Sequence, residues 1–186
     1  MKKVLALTYG EDPHADSVCK SLSSQGVDFF RVDTENLIGN YSLTFDSTTL
    51  DYTLDDGERK VVIDSTWNIW NRRVMNPDVR KGTPRSITDI IFEETEKTWD
   101  GLLFSHRGKV VNRPQNHFHA NNKIDQIRLA HRIGRGVVVP RTIVTNDPER
   151  VKEFYEECAE NICFKLQKGA IVESPEGHLT VYTNKV

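Results

Sequence analysis

Lys3 to Tyr9, KVLALTY, is a near-continuous apolar run closed by a glycine, the pattern of a strand buried on both faces. The segment Asp12 to Gln25 then carries Ala15, Val18, Cys19 and Leu22 at helical spacing, with Gly26 placed to stop the helix. A second apolar stretch, Val27 to Val32, follows at once. Parallel neighbours cannot be joined by a tight turn, so strand, helix and strand in this order predict a crossover unit. The opening therefore predicts a small α/β domain on a parallel sheet. The turn after the first strand, YGEDPHADS, has a single glycine among acids, and those acids would repel a phosphate.

From Tyr41 to Ser65 the texture changes to alternation, SLTFDS, TLDYTL and RKVVIDS, with Asp56-Gly57 as a turn signal. These segments predict antiparallel strands with one polar face. Thr66 to Arg73, TWNIWNRR, predicts a strand with an arginine pair at its end, and Asn76 to Pro84 is a polar, Pro/Gly-rich loop. Ser86 to Thr98 predicts a helix capped by Ser86 and burying Ile87, Ile90 and Ile91. Val110 to Pro114 is extended, and the polar stretch from Asn116 to His119 marks a domain boundary.

Beyond it, Asn121 to Ile133 predicts a helix with Ile124, Ile127, Leu129 and Ala130 as its buried side, broken at Gly134 and Gly136. The phrase VPRT and a strand RTIVT follow. Asp147-Pro148 then starts a helix running to Cys158. Asn161 to Gln167 and His178 to Thr183 predict strands, with a turn opening at Lys168-Gly169.

In 186 residues the chain has room for one good core or two small lobes. With 25 Lys and Arg against 27 Asp and Glu it lacks the cationic excess of a dedicated nucleic-acid or membrane-surface binder. Three cysteines, Cys19, Cys158 and Cys163, without a CxxC spacing predict a reducing, cytoplasmic protein. The N-terminal apolar run is too short for a signal peptide, and no segment approaches the roughly 20 apolar residues that span a bilayer.

Two lysines stand out. Lys123 opens a predicted helix and Lys165 interrupts the apolar strand ICFKLQ, where a charge is costly unless its head reaches a pocket or partner. Two fixed cations facing one pocket suit a polyphosphate, since an ammonium clamps phosphate oxygens as a point charge. The plainer alternative is a first-turn surface lysine and a lysine on the solvated face of an alternating strand. Arg72-Arg73 has the same double reading: a carboxylate or phosphate clamp, or an edge pair in an internal salt bridge. His106, His117 and His119 invite a metal reading, but although His117 and His119 are spaced as on one face of a strand, no Cys or acid stands close by in sequence to complete a zinc site. Trp67, Trp70 and Trp99 read as core residues.

Taken together, these phrases resemble the ATP-grasp superfamily, and within it the ribosomal-peptide maturases of the microviridin type and the related ribosomal protein glutamate ligases. The resemblance rests on Asn122-Lys123, Ala130, Gly134, Val139-Pro140-Arg141-Thr142, Thr145-Asn146-Asp147 and Cys163-Phe164-Lys165. Upstream, Trp70-Asn71-Arg72-Arg73 with Pro77, and Asn112-Arg113-Pro114, are similar to the pre-ATP-grasp domain of those maturases. The resemblance implies an α/β fold, with a pre-ATP-grasp domain over residues 1–118 and the first lobe of an ATP-grasp domain over 119–186.

It also implies ATP-dependent ligation of a peptide carboxylate to an amine or hydroxyl through an acyl phosphate. Lys123, Lys165, Lys168 and Gly169 would contact ATP, the last two in a lid-like turn. Two features depart from the family pattern. Leu166 and Gln167 follow the lysine strand where proline is common, and the lid has only Gly169 and Gly177. Magnesium accompanies ATP in the family, but after Lys165 the only acids are Glu173 and Glu176, so its ligands are not expected in this chain. The expectation is a truncated form, inactive alone, with a precursor peptide or partner protein as its partner and a homodimer as one possible assembly. The alternative is a non-catalytic module that binds a peptide or partner.

Overall fold

The computed structural model describes residues 3–167, 170–174, 177–181 and 184–185, with side chains described over 3–167. The chain divides into two compact units, Met1–His117 and Phe118–Val186.

The first unit is built on β1 (Lys3–Thr8), α1 (Pro13–Ser24) and β2 (Asp28–Asp33), the crossover predicted from the opening sequence. A short 3-10 turn (Thr34–Asn36) and an irregular turn, α2 (Leu37–Asn40), lead into β3 (Ser42–Asp46), β4 (Asp51–Asp55) and β5 (Lys60–Ile63). These three form an antiparallel sheet in the order β3-β4-β5. The chain then returns through β6 (Trp67–Asn71), α3 (Arg85–Ser105) and β7 (Val110–Val111). The parallel sheet runs β2-β1-β6-β7, and β1 pairs on both edges, Leu5 with Phe30 and with Ile69.

Burial of β1 on both faces explains its unbroken apolar run. Leu5 and Leu7 join one cluster with Leu54, Trp67, Trp99 and Leu102. Ala6, on the opposite face by alternation, is equally buried. Asp12 caps α1 by accepting from the amides of His14 and Ala15, and Gly26 takes the left-handed conformation that ends the helix turn (φ 65°). Ala15 and Cys19 are the buried residues of α1, whereas Val18 is partly open. Burial pushes the Cys19 thiol up.

Several predicted elements change. The helix predicted over Ser86 to Thr98 runs from Arg85 to Ser105, with Pro84 at its N-cap position and no side-chain cap. Its buried residues are Trp99, Leu102 and Leu103, all beyond the expected end at Thr98. Ile87 and Ile90, expected inside, are exposed. The polar boundary stretch is helical: α4 (Pro114–Asn121) begins at its proline, and the division between the units falls within it.

Among the described residues the second unit contains α5 (Lys123–Ile133), α6 (Pro148–Glu157) and four short strands. β8 (Cys163–Phe164) pairs with β11 (Asn184–Lys185), and β9 (Ala170–Ser174) with β10 (Gly177–Val181), both antiparallel. The expected strand RTIVT is absent: residues 141–145 are irregular. Strand propensity in RTIVT is not enough without a pairing partner. The side of α5 expected to be buried is not: Ile124 and Leu129 are about half exposed.

Candidate functional site

Helix α5 fixes the first candidate lysine. The side chain of Asn122 accepts from the Asp125 amide at 3.0 Å, a cap that orders the first turn and with it Lys123. The Lys123 ammonium then donates to the carbonyl oxygens of Leu166, at 2.7 Å, and Gln167. Leu166 lies 43 residues further along the chain. These two carbonyls immediately follow Lys165. Folding therefore brings Lys123 to the backbone that carries the second candidate lysine. Lys165 is exposed and stands just past β8 rather than inside a long strand, since only Cys163 and Phe164 pair.

An ammonium has three donors, and two are used on these carbonyls, so one is left for a phosphate oxygen. Among the described residues the exposed Lys165 ammonium meets no acceptor, and with the partly engaged one on Lys123 it fits an anionic ligand. Lys168 and Gly169 lie outside the described residues.

Arg141, of the VPRT phrase, has a packing role that its sequence context does not reveal. Its guanidinium lies 5.3 Å from the ring of Phe154, with Arg150 at 6.0 Å from the same ring, and both arginines pair with Glu157. Phe154 is the buried residue of α6, and Asp147 caps that helix as predicted. The two arginines shield an aromatic ring and are held by one carboxylate.

At the carboxyl end of the parallel sheet the acids and arginines are paired with one another. Asp12 is fully buried and accepts from Thr8 Oγ1 at 3.0 Å and from Arg72 Nε at 3.1 Å, besides its two capping amides. Burial alone would raise the Asp12 carboxyl, but these hydrogen bonds outweigh it and hold the group below its ordinary value. The Gly10 amide donates to Glu35 Oε1 at 2.6 Å, and Arg31 takes up the Tyr9 and Gly10 carbonyls. The turn's own amide is thus occupied by a carboxylate. Arg72 makes the internal salt bridge of the plainer reading, while Arg73 is exposed with a long contact of 3.5 Å to the Tyr9 hydroxyl.

His117 and His119 sit on α4 rather than on a strand, because Pro114 starts a helix there. Among the described residues no group of three or more His, Cys, Asp or Glu could hold a metal. Trp67 and Trp99 are buried core residues.

The model of the MvdD pre-ATP grasp domain matches residues 3–117. The chain belongs to this family. It is thereby a member of the microviridin-type ATP-grasp maturases. Its fold is that of solved relatives. The macrocyclase MdnC of Microcystis aeruginosa MRC, bound with the precursor peptide MdnA, superposes with a TM-score of 0.90 at 22% identity over 99% of this chain and 61% of its own. The macrocyclase MdnB of the same strain gives 0.79 at 27% identity over 100% of this chain and 61% of its own. A Chryseobacterium gregarium RiPP-associated ATP-grasp ligase, in complex with ADP and a leader and core peptide, gives 0.86 at 24% identity over 100% and 56%. The chain thus spans about three-fifths of the length of these proteins. No curated protein sequence matches it.

Proposed function

We propose that this chain serves an ATP-dependent ligase that modifies a peptide, joining a side-chain carboxylate to an amine or hydroxyl. The pre-ATP-grasp domain occupies the first unit, to about residue 118, and the second unit contributes the first lobe of the nucleotide clamp. The observation that carries this reading is the Lys123 ammonium seated on the carbonyls of Leu166 and Gln167, beside the exposed Lys165. Bound there, ATP would supply the phosphoryl group that activates the carboxylate. The chain's own part is to place two cations against its phosphates, because phosphoryl transfer is mainly positioning and charge neutralisation. Lys168 and Gly169 belong to the same proposal as the turn that covers the phosphates.

The peptide as substrate is supported by the precursor, leader and core peptides held by the solved relatives. Unpaired Cys19, Cys158 and Cys163 support a cytoplasmic setting, and no helix among the described residues is long and apolar enough to cross a membrane. Calorimetric titration of the chain with ATP and magnesium tests the reading. Lys165→Ala is expected to weaken binding by roughly 10-fold, the loss of one charge-assisted contact. Unchanged affinity removes Lys165 from the site, and no binding by the parent chain favours the partner-binding module.

A further inference from the structure

The carboxyl end of the parallel sheet holds an arginine that is oriented but not used up. The sheet order β2-β1-β6-β7 means that the chain leaves β1 on one side for β2 and returns on the other for β6. In open parallel sheets, ligands bind outside the carboxyl ends of the strands where the winding reverses. Arg72 and Arg73 follow β6 at that point. Arg72 Nε is fixed on Asp12, and among the described residues this is the one hydrogen bond its side chain makes. Its two terminal nitrogens, with four N–H donors, meet no acceptor there although the side chain is only 25% exposed.

Asp12 cannot turn away, since it is fully buried and held by Thr8 and two helix amides. It therefore sets the plane of the guanidinium. Arg73, the next residue, supplies a second, exposed cation, 3.5 Å from the Tyr9 hydroxyl. Near the same strand ends Glu35 keeps Oε2 buried and unpaired.

We propose that Arg72 and Arg73 form a binding site for the side-chain carboxylate of an acidic peptide. Arg72 offers the open edge of its fork and Arg73 adds charge, with Asp12 as the positioning residue. A planar fork matches a carboxylate bidentately, which a lysine could not do. Asp12 already offsets one of the two positive charges, which favours a singly charged group over a polyphosphate. The identity of the ligand as a peptide rests on the proposed function above; the carboxylate chemistry does not, and it needs no nucleotide.

The test uses the full chain without nucleotide and two short dye-labelled peptides, one rich in glutamate and one with glutamine in every such place. Fluorescence anisotropy is expected to show the glutamate peptide binding roughly 10-fold tighter, the worth of one charge-assisted fork. Arg73→Gln, an exposed position whose loss leaves the fold intact, is expected to remove most of that preference, and Arg72→Gln all of it. Asp12→Asn, with both arginines kept, is expected to lessen it. Equal affinity for the two peptides, or an unchanged preference in Arg73→Gln, overturns the site. A parallel ATP titration separates the proposals: glutamate preference without ATP binding supports this site and contradicts the lysine pair.

Discussion

The two units of this chain spend their apolar residues differently. In the first, β1, β6 and the second half of α3 bury Leu5, Leu7, Trp67, Ile69, Trp99 and Leu102 almost completely in one cluster. In the second, Phe154 is the one buried hydrophobic side chain among the described residues, while Ile124, Leu129, Ile133 and Val138 stay at the surface. The first unit is held by a hydrophobic core. Among the described residues, the contacts that hold the second are caps, ion pairs and the Lys123 bridge to the carbonyls of Leu166 and Gln167. A region held that way opens locally at lower cost, and such regions are where ligand-binding elements are found.

Substitution should expose this difference. Trp67→Ala empties the centre of the first core and is expected to cost about 3–5 kcal/mol in urea denaturation followed by tryptophan fluorescence. A cost below ~1 kcal/mol would show that the first unit does not depend on that cluster. In the second unit Phe154→Ala removes the ring between Arg141 and Arg150, and about 2–4 kcal/mol is expected there. Its transition should move while that of the first unit stays in place. Asn122→Ala deletes the α5 cap and is expected to cost about 1 kcal/mol, with a parallel loss of helical signal in circular dichroism. Leu129→Ala, at a half-exposed site, is expected to stay below ~1 kcal/mol. A larger loss would mean that the α5 face is covered in solution.

Acid sharpens the comparison from the other side. The Asp12 carboxyl sits below its ordinary value of 3.8, so the stability it lends is complete above that pH and is lost as pH falls through its lower, folded value. Asp12→Asn is expected to flatten the acid limb of the first unit's stability. Part of that slope remains, because hydrogen bonds also lower Asp46 and Asp64. An unchanged acid limb would show that Asp12 does not couple to folding.

The legible parts of the sequence were those with local causes. The β1-α1-β2 crossover follows from an apolar run, an Asp cap and a glycine stop, and the antiparallel strands follow from alternation with a turn at Asp56-Gly57. The second half of α3 was hidden because WDGLLFS contains a glycine and a short apolar run that reads equally as a strand. The segment RTIVT has strand propensity but no partner strand, and His117 and His119 looked strand-like only because Pro114 was read as an end rather than a beginning.

The candidate site divides in the same way. Lys123 and Lys165 were legible as residue types in phrases of a known family. Their meeting through the backbone of residues 166 and 167 was not, because it depends on a contact 43 residues apart. The link from Arg72 to Asp12, 60 residues apart, was likewise out of reach.

The central claim is that Lys123 and Lys165 act on one ligand, and a double-mutant cycle on ATP binding tests it most directly. Calorimetric titrations of the parent chain, Lys123→Ala, Lys165→Ala and the double variant give the coupling. Because Lys123 holds the carbonyls next to Lys165, removing it should also misplace Lys165, so the double variant is expected to lose clearly less than the two single losses combined. Strictly additive losses, or full affinity in either single variant, would contradict the account.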